Sequence, residues 1–239
     1  MQKVWNPGIV IAARVGSTRL PGKHFKMIGG DSVLDLVVSR CVSTGLKVTL
    51  AVPFADRADF YNSLDRPDLV VEIASPDIDE SDVFLRVMKA ASESDLDPII
   101  RVTGDCPFAE PSIILGALAL WFEKRRLVDQ AVAVVVSNVF PYRTFAKGLD
   151  VEVVERAALG LTIEGASDYD REHVTSAIYR LATPIDHGET YLAALPESAF
   201  ARNGVAVFSF KNNGWWPDEK APGLCIDTPE DLIRLGGVM

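Results

Sequence analysis

Between Ile9 and Ser137, short apolar runs rich in β-branched residues alternate with segments of helical spacing. This alternation constrains the fold more than any other feature of the chain. Ile9–Ala13 reads as a buried strand, followed by Ser32–Val42 with Val33, Leu34, Val37, Val38 and Cys41 at helical spacing. Lys47–Val52 and Leu69–Ile73 read as the second and third strands. Ser81–Ala91 is helical, with Val83, Phe84, Val87 and Met88 on one face, and Pro98–Val102 is the fourth strand. Pro111 opens a helix that runs to Leu127, as proline does in a first turn, and Ala131–Ser137 is the fifth strand. Strand–helix alternation predicts an α/β fold, a mainly parallel sheet with helices on both faces. Such sheets bind ligands at the carboxyl ends of their strands, so the loops after Ala13, Val102 and Ile226 are where chemistry is expected.

Beyond residue 140 the pattern is less regular. Leu149–Val154, Tyr191–Leu195 and Val205–Phe210 read as further strands, and Thr228–Leu235 as a closing helix with Pro229 in its first turn. No repeat, low-complexity tract or Gly/Ser-rich linker divides the chain, so residues 1–239 are expected to form one domain. Hydrophobic residues make up 48%, enough for a core. Lys plus Arg is 24 and Asp plus Glu 33, a formal net charge of −9. An acidic chain repels a phosphate backbone, which argues against a nucleic-acid partner. Basic residues do gather once, at Arg14, Arg19, Lys23 and Lys26, which points to a small anion. Cys41, Cys106 and Cys225 are too few and scattered for a disulfide framework or zinc site, and fit a reducing cytoplasm. No signal-peptide or membrane-spanning pattern is seen, and the longest apolar stretch, Ala131–Val136, is strand-sized. No membrane partner is expected.

The segment Ile11-Ala-Ala-Arg-Val-Gly-Ser-Thr-Arg-Leu-Pro-Gly-Lys23 follows a strand and precedes a helix. Gly16 and Gly22 permit tight turns and close backbone approach. Ser17 and Thr18 add hydroxyls, and Arg14, Arg19 and Lys23 add positive charge. Amide and hydroxyl donors with cations are what a triphosphate requires. A solvated basic turn has the same composition. The dinucleotide pattern G-x-G-x-x-G is absent, and a P-loop needs Ser or Thr after its lysine, where this chain has His24.

This run resembles the signature loop of the cytidylyltransferases that activate 3-deoxy-manno-octulosonate and acylneuraminate, most of all the spore-coat-polysaccharide type. The resemblance implies a Rossmann-like nucleotidyltransferase fold with a mixed, mainly parallel sheet flanked by helices. It implies that Ala12, Ala13, Arg14, Gly16, Ser17, Arg19 and Lys23, with Thr103 and Gly104, hold CTP. Glu80-Ser-Asp-Val-Phe-Leu-Arg86 resembles the stretch that contacts base and ribose, with Asp82 and Arg86 at its polar positions.

Asp105 follows the fourth strand in Thr103-Gly-Asp-Cys-Pro107, and Asp227, in Leu224-Cys-Ile-Asp-Thr-Pro-Glu-Asp231, is expected at the end of another short strand. Two such aspartates suit magnesium, which takes one or two carboxylates plus phosphates and water. Asp227 reads equally as an acid at a helix N-terminus, and Asp231 reaches back only if the first helical turn faces the site. In the family both aspartates hold Mg2+.

Lys147-Gly-Leu-Asp-Val-Glu152 and Arg171-Glu-His-Val-Thr175 resemble the sugar-site segments, which implies that Asp150, Glu152, Arg171 and His173 bind a sugar acid. A half-exposed strand and a solvated helix turn would look the same. His24 is expected as a loop residue beside the phosphate site, with His187 the third histidine. The stretch after Val52 and the run Asn212–Pro217 depart from the family pattern. Family members are usually homodimers, and residues 140–220 are expected to form the sugar-binding and dimerisation part, with Trp215 and Trp216 buried there.

The expected reaction is attack of a sugar acid's anomeric hydroxyl on the α-phosphorus of CTP, catalysed by Arg14, Lys23, Asp105 and Asp227. The rival enzyme, a glycosyltransferase, would need a second acid close to Asp105, which Gly104 and Cys106 do not supply; a non-catalytic CTP-binding homologue would not need both aspartates. If the aspartates converge, Cys106 and Cys225 lie beside them as reduced bystanders.

Overall fold

The structure, a computed structural model, describes residues 3–64, 66, 69–73, 76–184, 190–193 and 204–238. Its strands are β1 (Gly8–Ala12), β2 (Met27–Ile28), β3 (Asp31–Ser32), β4 (Lys47–Val52), β5 (Val70–Ile73), β6 (Ile99–Thr103), β7 (Val132–Ser137), β8 (Glu152–Val154), β9 (Ala182–Pro184), β10 (Thr190–Ala193) and β11 (Gly204–Ser209). Its helices are α1 (Val33–Val42), α2 (Arg57–Ser63), α3 (Val83–Glu93), α4 (Pro111–Leu127), α5 (Arg156–Thr162), α6 (Asp168–Glu172), α7 (Ser176–Leu181) and α8 (Pro229–Arg234).

Among the described residues, nine strands form one sheet in the order β5-β4-β1-β6-β8-β7-β11-β10-β9. Strands β5, β4, β1 and β6 are parallel, as are β7 and β11. β8 runs antiparallel between β6 and β7, and β10 is antiparallel to β11 and β9. The sheet is therefore mixed and mainly parallel, as expected. The reversal of β8 has a local effect: its first residue, Glu152, lies at the edge where the parallel strands end, opposite Arg101 and Ser137.

Period-two alternation sends successive side chains to opposite faces. Ile9 and Ile11 join Leu34 and Val37 of α1 and Ile113, Ala117 and Trp121 of α4 in one buried cluster. Val10 joins Phe84 and Val87 of α3, Ala158 of α5 and Ile178 of α7 in the other. A small third cluster, Leu20, Val33, Ile226 and Leu232, ties the N-terminal loop to the C-terminal segment. Helix starts are capped by the residues at hand. The side chains of Ser32 and Asp82 accept from Asp35 N and Leu85 N, and Thr228 forms a capping box with Asp231.

One expectation is corrected. Asp227 does not end a strand, because residues 224–228 have no strand partner. The segment is instead fixed by Leu224 N donating to Lys147 O at 2.6 Å and Ile226 N to Asp105 O at 2.8 Å. In the single chain Trp215 is 84% exposed, and Trp216 packs partly against the first core cluster, which leaves their expected burial in a dimer interface open. The strand expected over Tyr191–Leu195 is described only to Ala193; its last two residues, and His187, lie outside the described residues. No described helix is long and apolar enough to cross a membrane.

Gly148 makes the crossing of residues 147–148 over residues 224–225 possible. Its φ is +100°, and a Cβ there would stand 2.6 Å from the backbone of Leu224 and Cys225. Gly148→Ala should cost about 2–4 kcal/mol, from left-handed strain plus overpacking. Thermal unfolding should show a lower melting temperature, and turnover should fall further than stability because Asp227 moves.

Candidate active site

After β1 the chain turns sharply, and each bend has a cause. Val15 N donates to Asp56 Oδ2 at 2.7 Å, and Gly22 N to Val15 O at 3.2 Å. Gly22 sits at φ +63°. Gly16 lies against the Glu80 carboxylate where a Cβ would collide. The loop so folded presents Arg14, Ser17, Thr18, Arg19 and Lys23 to a cavity of about 470 Å³, with Ala12, Ala13, Arg86, Thr103, Asp105 and Asp227 on the other walls. Sequence reading missed four residues here: Val83, Arg101, Lys147 and Glu172.

Three distant segments meet at one ammonium. Lys23 Nζ lies 2.5 Å from Asp105 Oδ2 and 3.3 Å from Asp227 Oδ1. Asp227 also pairs with Arg19 at 3.1 Å and Lys147 at 2.8 Å. Burial pushes the Asp227 carboxyl up, but hydrogen bonds from Lys147 and Lys23 and their charges outweigh it and hold the group at about 2. Asp105 is likewise lowered: burial opposes, and Lys23 with His24 prevails. Lys23 is raised, because the two aspartates outweigh its own burial. Both carboxylates therefore stay ionised at neutral pH.

Asp231 does not enter the site. It accepts from Asp227 N and Thr228 N at 3.2 and 3.1 Å, and pairs with Arg234. The thiols lie where convergence requires, Cys106 Sγ 3.7 Å from Asp105 Oδ1 and Cys225 Sγ 3.8 Å from Asp227 Oδ2. Burial pushes Cys106 well up and Cys225 to about 11, so both remain thiols.

His24 lies beside the loop cations, as expected, and is buried. Its ring packs on Gly104, where a Cβ would stand 3.0 Å from Nε2, and burial pulls it down to about 4. Gly104 serves this close approach rather than lining the cavity. Arg86 does line it, its Nη1 donating to Glu80 O. Burial and the nearby Arg14 lower Arg86 to about 10. Asp82 is turned to other work. It caps α3 and its Oδ2 accepts from Arg171 Nη1 at 2.7 Å. That pairing takes both Asp82 and Arg171 off the cavity walls. Arg14 pairs with Glu172 at 3.2 Å, so α6 is fastened to the loop and to α3 by two ion pairs.

A second cavity of about 340 Å³ adjoins the first, and Arg101, Thr103 and His173 line both. Asp150 and Glu152 lie on its wall, as expected of sugar-site residues, but each already has partners. Asp150 takes both Nη1 and Nη2 of Arg143, and Glu152 takes Arg101, Thr175 and Tyr179.

A family model described as Cytidylyltransferase matches residues 9–234. The chain belongs to the cytidylyltransferase family. It is a CTP-dependent nucleotidyltransferase, as the signature loop implied. Among its relatives, the 3-deoxy-manno-octulosonate cytidylyltransferase of Maricaulis maris is 34% identical, covering 96% of this chain and 95% of that one. The spore coat polysaccharide biosynthesis protein SpsF of Bacillus subtilis is 32% identical over 44% of this chain and 45% of its own length, less than half of that relative. A solved cytidylyltransferase from Leptospira borgpetersenii superposes with a TM-score of 0.71 at 26% identity, covering 95% of this chain and 84% of that one. A CMP:2-keto-3-deoxy-manno-octonic acid synthetase solved with CTP shares the fold, with a TM-score of 0.56 at 16% identity over 96% of each chain.

The helical arm that brings His173 to both cavities depends on one buried acid. Asp170 accepts from Ser167 N and Oγ, from Ser176 Oγ at 2.7 Å and from Arg180 at 2.7 Å. Burial opposes its ionisation, but these hydrogen bonds hold it well below the carboxylate range. A depressed carboxyl stabilises above its unfolded pKa, about 3.9, and that stability is lost as pH falls toward the folded value. Asp170→Asn should therefore melt lower than the wild type at pH 7, and the gap should narrow in scans below about pH 4.

Proposed function

We propose that this enzyme transfers CMP from CTP to the anomeric hydroxyl of a sugar acid, of octulosonate or nonulosonate type, and releases pyrophosphate. The observation that carries the reading is the junction of the two cavities. One is lined by loop cations and two converging aspartates, the other by hydrogen-bonding side chains suited to a polyol. The family membership and the octulosonate cytidylyltransferase relatives support it.

The aspartates fit a divalent cation. Asp105 and Asp227 are ionised, and a positive charge, the Lys23 ammonium, already lies within hydrogen-bonding distance of both. Among the described residues no third His, Cys, Asp or Glu joins them. Two carboxylates with substrate phosphates and water are a sufficient donor set for Mg2+. A fold neighbour from Mycobacterium tuberculosis was solved as a manganese complex. When bound, the ion would offset charge gathering on the α-phosphate and the leaving group.

Arg14, Arg19 and Lys23 bind the β- and γ-phosphates and balance the charge of departing pyrophosphate. Ala12, Ala13, Ser17 and Thr103 shape the cradle, and Arg86 faces the nucleoside. The hydroxyl oxygen forms a bond to the α-phosphorus as the bond to the β-phosphate oxygen breaks in line, and the hydroxyl proton leaves to solvent. Glu152 is not the base, because its oxygens are already taken by three donors. In the same reading the enzyme is a cytoplasmic homodimer acting in envelope polysaccharide synthesis.

A pyrophosphate-release assay tests this. CTP should be used far better than UTP, ATP or GTP with octulosonate or nonulosonate acceptors, because a polar site built for one base leaves groups unpaired with another. Equal use of CTP and UTP, or turnover without a sugar acid, would refute the reading. Asp105→Asn and Asp227→Asn should each abolish turnover at saturating magnesium while circular dichroism stays native.

Lys23→Ala should weaken CTP binding roughly tenfold or more, and CMP binding less, since a charge-assisted contact to the outer phosphates is lost. Isothermal titration with both nucleotides distinguishes this from a general loss. Equal losses would place Lys23 away from those phosphates.

A further inference from the structure

The cations around the second cavity are not equivalent. Arg143 gives both terminal nitrogens to Asp150. Arg171, expected at the acceptor carboxylate, is held by Asp82 outside the cavity. Lys147, Lys23, Arg19 and Arg14 belong to the nucleotide cavity and are paired there with Asp227, Asp105 and Glu172. Arg101 differs from all of these. It projects from β6 into the junction and lines both cavities. Its Nη1 donates to Glu152, its Nη2 meets no acceptor among the described residues, and its Nε is buried without a partner.

The partner that holds Arg101 is unusually well fixed. Glu152 stands directly opposite it in the β6–β8 register and is 2% exposed. While Oε2 accepts from Arg101, Oε1 accepts from Thr175 Oγ1 at 2.8 Å and from the Tyr179 hydroxyl. A carboxylate bound from three directions cannot swing out to a ligand. It can hold a guanidinium in one orientation, with the remaining N–H edge directed elsewhere.

We propose that Arg101 is the specificity-determining residue that receives the acceptor's carboxylate, and that Glu152 is the positioning residue that aims it. The proposal rests on the reading of the acceptor as a sugar acid. Planar N–H donors match a carboxylate better than a point charge does. An incoming anion also supplies partners to a half-buried guanidinium whose Nε has none. Phosphate is the less fitting anion for this edge, because five other cations, Arg14, Arg19, Lys23, Arg86 and Lys147, already face the nucleotide cavity.

The test is steady-state pyrophosphate release by the wild type, Arg101→Lys and Glu152→Gln, varying CTP and acceptor separately. A second acceptor carries a hydroxymethyl group in place of the carboxylate. Arg101→Lys keeps a positive charge beside Glu152 and should fold. It should raise the KM for the acid by about tenfold or more while the KM for CTP stays within about twofold. Glu152→Gln should raise the acid's KM in the same selective way. The reduced acceptor should bind the wild type and Arg101→Lys equally, since the contact is absent from both.

A rise in the KM for CTP with no change for the acid would assign Arg101 to a phosphate and overturn the proposal. So would an Arg101→Lys penalty as large for the reduced acceptor as for the acid. If the lysine variant does not fold, the double variant Arg101→Gln, Glu152→Gln removes the charge pair together and carries the same expectations. A wild type that uses a sugar acid and an Arg101→Lys that matches it would sink Arg101 alone. A wild type that uses neutral sugars and no acid would sink the sugar-acid reading itself.

Discussion

The Lys23 ammonium, held between Asp105 and Asp227, is the contact on which the site depends. It joins three segments that the chain order keeps 82 and 204 residues apart. Two carboxylates brought this close would repel each other, and each would be costly to bury. A cation between them removes both penalties, so the pair is assembled before any ligand arrives. The same charge has a second use. On the proposed reading, Lys23 would pair with the substrate phosphates and Asp105 and Asp227 would hold the divalent ion.

Around this contact, backbone and packing fix what side chains alone would leave loose. Ile226 N bonds to the carbonyl of Asp105 itself, and Leu224 N to that of Lys147. The cluster of Leu20, Val33, Ile226 and Leu232 presses the signature loop against the C-terminal segment. Cys106 and Cys225 fill small buried spaces beside the acids, and their raised pKa values keep them from competing as anions. At the second cavity, Glu152 with Thr175 and Tyr179 gives β8 and α7 a common polar anchor.

Much of this was legible in the sequence where a signal was long and periodic. Lys47–Val52 and Pro111–Leu127 emerge with the bounds expected of them, one from its apolar run and the other from proline at its start. The signature loop stands out in the sequence because glycines, hydroxyls and cations crowd into few residues, and in the structure it lines the first cavity. Helices α2, α5, α6 and α7 were not read, since five to seven residues hold too few turns to show a period. The capping box of Ser167 and Asp170 was the available signal for α6. Asp227 was placed on a strand because Leu224-Cys-Ile is apolar, whereas its backbone partners are a loop carbonyl and a turn. The Asp82–Arg171 pair spans 89 residues and had no local trace. Arg101 is one charged residue in an otherwise apolar strand, which is itself the signal: a half-buried charge at a strand position requires a partner.

The placement of β8 has a consequence for how the molecule is made. Strands β5, β4, β1 and β6 form one half of the sheet and β7, β11, β10 and β9 the other, and three residues, Glu152–Val154, join them. During synthesis the first half can pair as soon as β6 has emerged. β7 emerges next but has no neighbour to pair with until the chain turns back through residues 138–151 and inserts β8 between the two. Parallel and non-local pairing of this kind is slow, and unpaired edges left waiting are prone to join other chains. The Arg101–Glu152 ion pair forms at that joining step. Residues that line the second cavity are thus also those that close the sheet, so a nascent chain acquires that cavity at the moment its two halves become one body.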